Sequence, residues 1–104
     1  MADIFLESHN VVELDGLKDS VTDAYVSGAT VNLFMGVAAN GKGLLGPLSM
    51  AFVSGSNGKY RVTLTDAQIA SLVDQTDYVI RIEVDNSGVK ALFLKGVRAK
   101  IRTI

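Results

Sequence analysis

Residues 77–85 read DYVIRIEVD, and the stretch alternates with a period of two. Tyr78, Ile80, Ile82 and Val84 fall on one side, and Val79, Arg81 and Glu83 on the other. This is the pattern of a strand with one face in a core and one toward water. It is followed by Asn86-Ser87-Gly88, residues that accept the positive φ angles of a tight hairpin.

The same rhythm recurs on both sides. In ATVNLFMGV (29–37), Ala29, Val31, Leu33 and Met35 oppose Thr30, Asn32 and Phe34. In KYRVTL (59–64), Tyr60, Val62 and Leu64 oppose Lys59, Arg61 and Thr63. The terminus VRAKIRTI (97–104) sets Val97, Ala99 and Ile101 against Arg98, Lys100 and Arg102. Less regular strand candidates are NVVELDGL (10–17), PLSMAFVS (47–54) and VKALFL (89–94). Asn40-Gly41 and Asn57-Gly58 supply further turns, and Pro47 stands at a strand start, where a missing N–H costs least. One segment departs from the pattern. TDAQIASLV (65–73) has Thr65 as N-cap, Gln68 three residues on, and Ile69, Leu72 and Val73 on one helical face, which predicts a short helix near 66–73. The expected architecture is all-β: an antiparallel sandwich of about seven strands with that one short helix, spanning residues 10–104 as a single domain. Residues 1–9 are expected as an N-terminal arm.

Composition narrows the function classes. A chain of 104 residues, 48% of them hydrophobic, fits one domain with its own core. Ten basic and eleven acidic residues predict no nucleic-acid partner from global charge. The absence of cysteine removes disulfides, thiolate metal sites and cysteine nucleophiles. No basic n-region with a following apolar run marks a signal peptide, and no apolar stretch approaches the length of a membrane span. A soluble protein made inside the cell is expected.

GVAANGKG (36–43) comes within one residue of the phosphate-binding pattern G-x-x-x-x-G-K-[ST]. Gly43 occupies the hydroxyl position, and GLLGPLSM (43–50) opposes the helix whose N-terminus would face the phosphate. The stretch reads as a hairpin connection, and no nucleotide is expected. Glu13, Asp15, Asp19 and Asp23 crowd LDGLKDSVTDAY (14–25) and its flank without calcium-loop spacing, so they read as solvated carboxylates and no metal is assigned. His9 is the only histidine and lacks partners for a zinc site or a catalytic triad. Tyr60 and Tyr78 share register with aliphatic residues and are expected in the core; Tyr25 is the third tyrosine. No set of residues points to an enzyme or a cofactor.

Charge is distributed unevenly. Six acids (Asp3, Glu7, Glu13, Asp15, Asp19, Asp23) precede residue 24 against Lys18 alone, while Lys90, Lys95, Arg98, Lys100 and Arg102 follow residue 86 with no acid. Three readings are open: pairing of the ends within one molecule, pairing between molecules, or a basic strand that tracks phosphates. Arg98, Lys100 and Arg102, with Asp15, Asp19 and Asp23 as counterparts, are the candidate interaction surface. If the charged ends meet between molecules, the oligomer weakens as salt rises.

The order of motifs carries a resemblance. VELDGLKDSVTDAYVSGATVNLFM (12–35), LSMAFVSGSNGKYRVTL (48–64), then DYVIRIEVD, the Gly88 turn and a closing basic strand resemble small immunoglobulin-like proteins encoded by tailed bacteriophages. The order is also similar to Ig-like N-terminal modules of phage baseplate proteins. The resemblance covers most of residues 10–103 and is one of strands and turns. It departs at 36–46, where the connection is longer and richer in glycine than a minimal hairpin. It implies a virion structural component made in the host cytoplasm: a head decoration, head–tail junction or tail and baseplate protein that binds other virion proteins or copies of itself. The rival is a carbohydrate-binding or host-adhesion module, which would expose Tyr25 and Phe34 together as a flat patch.

Overall fold

The computed structural model describes residues 2–6, 9–37 and 39–101. Its strands, in chain order, are β1 (Ala2–Leu6), β2 (Asn10–Leu14), β3 (Thr30–Gly36), β4 (Leu45–Ser49), β5 (Ala51–Phe52), β6 (Tyr60–Leu64), β7 (Asp77–Asn86) and β8 (Val89–Ile101). They form a five-stranded sheet of order β1-β8-β7-β3-β4 and a three-stranded sheet of order β2-β6-β5. The fold is all-β, with no helix among the described residues.

The β7–β8 hairpin is the spine of the larger sheet. Its turn, Ser87 at φ 52° and Gly88 at φ 90°, has both central residues left-handed, as a type I′ hairpin requires. Asp85 Oδ1 accepts a hydrogen bond from Gly88 N at 2.9 Å, and Asn86 stands opposite Val89. The alternation read from the sequence is realised in the core. Tyr78, Ile80, Ile82 and Val84 are buried against Val31, Leu33 and Met35 of β3, with Val97 and Ala99 of β8 beside them. Tyr60 and Leu64 close that core from the smaller sheet. Each such side chain contributes about 1.5–3 kcal/mol by leaving water. The polar ends of the buried tyrosines are satisfied. Tyr60 Oη donates to Val26 O at 2.8 Å, and Tyr78 Oη accepts from Val73 N at 2.9 Å.

Four features differ from the sequence-based expectation. The predicted helix near 66–73 is a series of turns. Its capping box forms, with Thr65 N donating to Gln68 Oε1 (2.8 Å) and Gln68 N to Thr65 Oγ1 (3.3 Å). Yet Gln68 N bonds Thr65 O and Leu72 N bonds Ile69 O, both three residues back, and no helix propagates. A single turn gains too little to offset its nucleation, and Ile69 and Leu72 are held by the core instead. Second, residues 2–6, expected in an arm, form β1. Third, β1 runs parallel to β8, Ala2 opposite Val97 through Leu6 opposite Ile101, so the pairing is not antiparallel throughout. The Asn10 side chain fixes this strand by accepting from Phe5 N and donating to Phe5 O, each at 2.9 Å. Fourth, VKALFL and VRAKI are one 13-residue strand and not two, so eight strands stand where about seven are expected.

Candidate functional site

β8 is built in two halves. From Val97 onward it lies between β7 and β1 and is buried on alternate residues. From Val89 to Gly96 its assigned ladder is to β7 alone. Which backbone groups this leaves open follows from the turn. A two-residue loop makes Asn86 and Val89 a hydrogen-bonded pair, so the odd residues of β8 spend their N–H and C=O groups on β7. Ala99 keeps the same phase, donating to Thr76 O (3.0 Å) and accepting from Gln75 N (2.7 Å). The backbone groups of Lys90, Leu92, Leu94 and Gly96 therefore point away from the sheet.

The side chains of this half are as open as its backbone. Val89 is 69% exposed, Leu92 48%, Phe93 41% and Leu94 51%. Ile80, Ile82 and Val84 on the adjacent β7 stay buried, so the smaller sheet reaches across β7 and stops short of β8 here. Crevices line the resulting flank. One of about 210 Å³ runs under the hairpin tip between Leu17, Val21, Val26, Val84, Val89 and Ala91. Another, of about 110 Å³, lies between Ile4, Val11, Val12, Ile82, Lys95 and Val97. On the opposite face a polar depression of about 460 Å³ is lined by Thr30, Asn32, Arg81, Glu83, Lys90 and Leu92. The other edge of the larger sheet is blunt: β4 carries Pro47 after a cis peptide bond and pairs with β3 through a register shift.

The charged residues singled out in the sequence sit elsewhere, each with a neighbour. Arg98 Nε donates to Asp77 Oδ1 at 2.8 Å, and Lys100 Nζ lies 3.6 Å from Asp3. Arg102 lies outside the described residues. Asp15 is 4.0 Å from Lys59, and Asp23 is 3.6 Å from Lys18. Asp19 accepts from Val21 N (2.8 Å) and Thr22 N (3.1 Å), closing its own turn. Of the six acids near the N-terminus, Asp3 is brought to the basic strand; Asp15, Asp19 and Asp23 are paired at other places.

These pairs set an acid dependence. The Arg98 guanidinium holds the Asp77 carboxyl below its ordinary value, Arg81 and then Lys42 do so for Glu83, and Arg61 for Glu13. For Asp19 the cause is the pair of backbone N–H groups of Thr22 and Val21. A depressed carboxyl stabilises the fold above its unfolded pKa and ceases to do so as pH falls through the folded one. Stability is thus expected to hold from neutrality to about pH 5 and to decline from about pH 4 downward, as thermal melts across pH would read.

Lys42 of the phosphate-loop near-match is turned onto the sheet. Its ammonium lies 3.4 Å from Glu83 and 5.2 Å from the Phe34 ring centroid, while Arg81 Nη1 donates to Asn40 O at 3.1 Å. The segment after it is strand β4, not a helix. Tyr25 lies in the 18–25 turn under Lys18 Nζ, 4.9 Å from its ring centroid. Phe34, on the outward face of β3, lies under Lys42, so each ring is covered by its own lysine. His9 is exposed between β1 and β2.

Sequence reasoning treated VKALFL as a weaker strand and missed its open edge. The signal was present: Leu92-Phe93-Leu94 puts apolar residues on both faces of a strand, which a half-buried strand does not need. Compared with known proteins, the chain matches no family model, no curated protein and no solved structure.

Proposed function

We propose that this chain is a non-enzymatic structural component of a tailed-phage virion. In this reading it is an Ig-like β-sandwich, and its work is assembly in a head decoration, the head–tail junction or the tail and baseplate. It binds copies of itself or another virion protein, and in the infected cell it is located in the particle. The motif order quoted above supports the phage assignment. The observation that carries the assembly role is the open half of β8, an apolar strand edge held out by a tight hairpin. Such an edge favours addition of another strand, and proteins that remain apart normally blunt it. A contact through Arg98, Lys100, Arg102 and the acids Asp15, Asp19 and Asp23 would have to exchange the pairs described above, whereas the β8 edge requires no exchange. Sugar recognition by Tyr25 and Phe34 would require displacing a lysine from each ring.

Peptide mass spectrometry of gradient-purified particles produced from the source genome tests this. The chain is expected to co-sediment with the particle in a fixed copy number. Its presence in the lysate and absence from purified particles would contradict the assignment.

A further inference from the structure

The open half of β8 fits one occupant closely, a second copy of itself. Resting on the assembly reading above, we infer that two chains pair antiparallel through residues 90–96 of β8, about a two-fold axis that passes at Phe93. The backbone phase limits the registers. Outward-pointing residues must face outward-pointing residues, so Lys90, Leu92, Leu94 and Gly96 can meet only one another. This excludes every register that sets Lys90 directly opposite Lys95, the arrangement that like charges disfavour. Among those left, centring on Phe93 uses all four outward residues. Leu92 then faces Leu94 of the second copy and Leu94 faces Leu92, while Lys90 and Gly96 meet at the ends. About eight backbone hydrogen bonds close the joint. On the other face Phe93 meets its symmetry mate in a pair whose side chains approach closely, and Ala91 meets Lys95.

The free length fits as well. β1 occupies the β8 edge from Val97, opposite Ala2, so a second strand can run along β8 only as far as Gly96. A strand centred on Phe93 ends there in both copies. Because the contact is isologous it closes at two chains, and the two five-stranded sheets become one continuous sheet. Nothing charged crosses the joint to be screened, and Lys90 and Lys95 give both edges the same sign, so salt should not weaken it.

Light scattering on size-exclusion fractions of the full chain, over a concentration series, should give twice the 11.0 kDa of one chain, undiminished at high salt. The register is read by single cysteines, since the chain has none. Under mild oxidation Phe93→Cys should form a disulfide-linked dimer. Leu92→Cys and Leu94→Cys should not, each alone, but should cross-link when mixed. Thermal melts confirm that each variant is folded. A monomer at every concentration, cross-linking strongest at Leu92→Cys or Leu94→Cys alone, or a dimer that dissociates as salt rises would each overturn the inference. A monomer in solution whose peptides are nonetheless present in purified particles would defeat this inference alone and leave the assembly reading standing.

Discussion

Leu33→Ala is expected to lower the free energy of unfolding by about 2–5 kcal/mol, against a total of about 5–15 kcal/mol for a domain of this kind. Leu33 is fully buried at the centre of β3, opposite Ile82 on one side and Leu48 on the other. Ladders on both sides fix the backbone around it, so the space left by the missing methyl groups cannot close by a shift of one strand. Urea titration of the two proteins measures the difference as a change of midpoint at constant slope. Val89→Ala, on the open half of β8, should change the midpoint little. A loss at Leu33 below about 1 kcal/mol, which is ordinary for a surface site, would contradict a core centred on β3 and β7.

Gly36→Ala is the second large effect, and it arises without any change of hydrophobic burial. Gly36 ends β3 where the following loop folds back, and a Cβ built there would collide with the carbonyl of Lys42. The atoms in the way belong to the backbone, so no side-chain rotation relieves the overlap. Residues 39–43 must lift from the sheet, which separates Lys42 from Glu83 and Asn40 O from Arg81. A cost of about 1–3 kcal/mol follows from comparable overpacking, or roughly 4–8 °C in melting temperature for each kcal/mol in a domain of this size. Lys42→Ala separates the two contributions: it removes the exposed ion pair and leaves the backbone in place, so its melt should stay near that of the parent. A Gly36→Ala protein that melts with the parent would show that the loop does not rest on β3.

What the sequence revealed follows the range of the forces involved. Residues 77–85 were legible because the period of two is local, and the Ser87-Gly88 turn because its backbone demand falls on two adjacent residues. Tyr60 and Tyr78 were placed in the core by register alone. The segment after Thr65 shows where local signals end. Its capping box forms as written, but whether a helix continues is decided by Ile69 and Leu72 reaching a core built from distant strands. β1 escaped notice because a parallel pairing with β8 joins residues about as far apart as the chain permits, and its edge is finished by a side chain, Asn10, that belongs to the next strand. The uneven charge of the two ends was real, yet partners are chosen by ladder register: Asp77 lies opposite Arg98 across β7 and β8, and Asp3 lies opposite it across β1 and β8. The open edge of β8 could not be read for the same reason. Exposure of Leu92 and Leu94 depends on how far along β8 the parallel strand reaches, which no local pattern encodes.

Amide hydrogen exchange followed residue by residue along β8 tests most directly the claim that this strand offers an unfilled edge for assembly. Ala91, Phe93 and Lys95 should be protected at every protein concentration, because their N–H groups bond β7. Lys90, Leu92, Leu94 and Gly96 should exchange freely in dilute solution and become protected together as the protein is concentrated. Protection of those four amides at the lowest concentration would mean the edge is filled within one molecule, and free exchange at the highest would mean that no second strand adds to it.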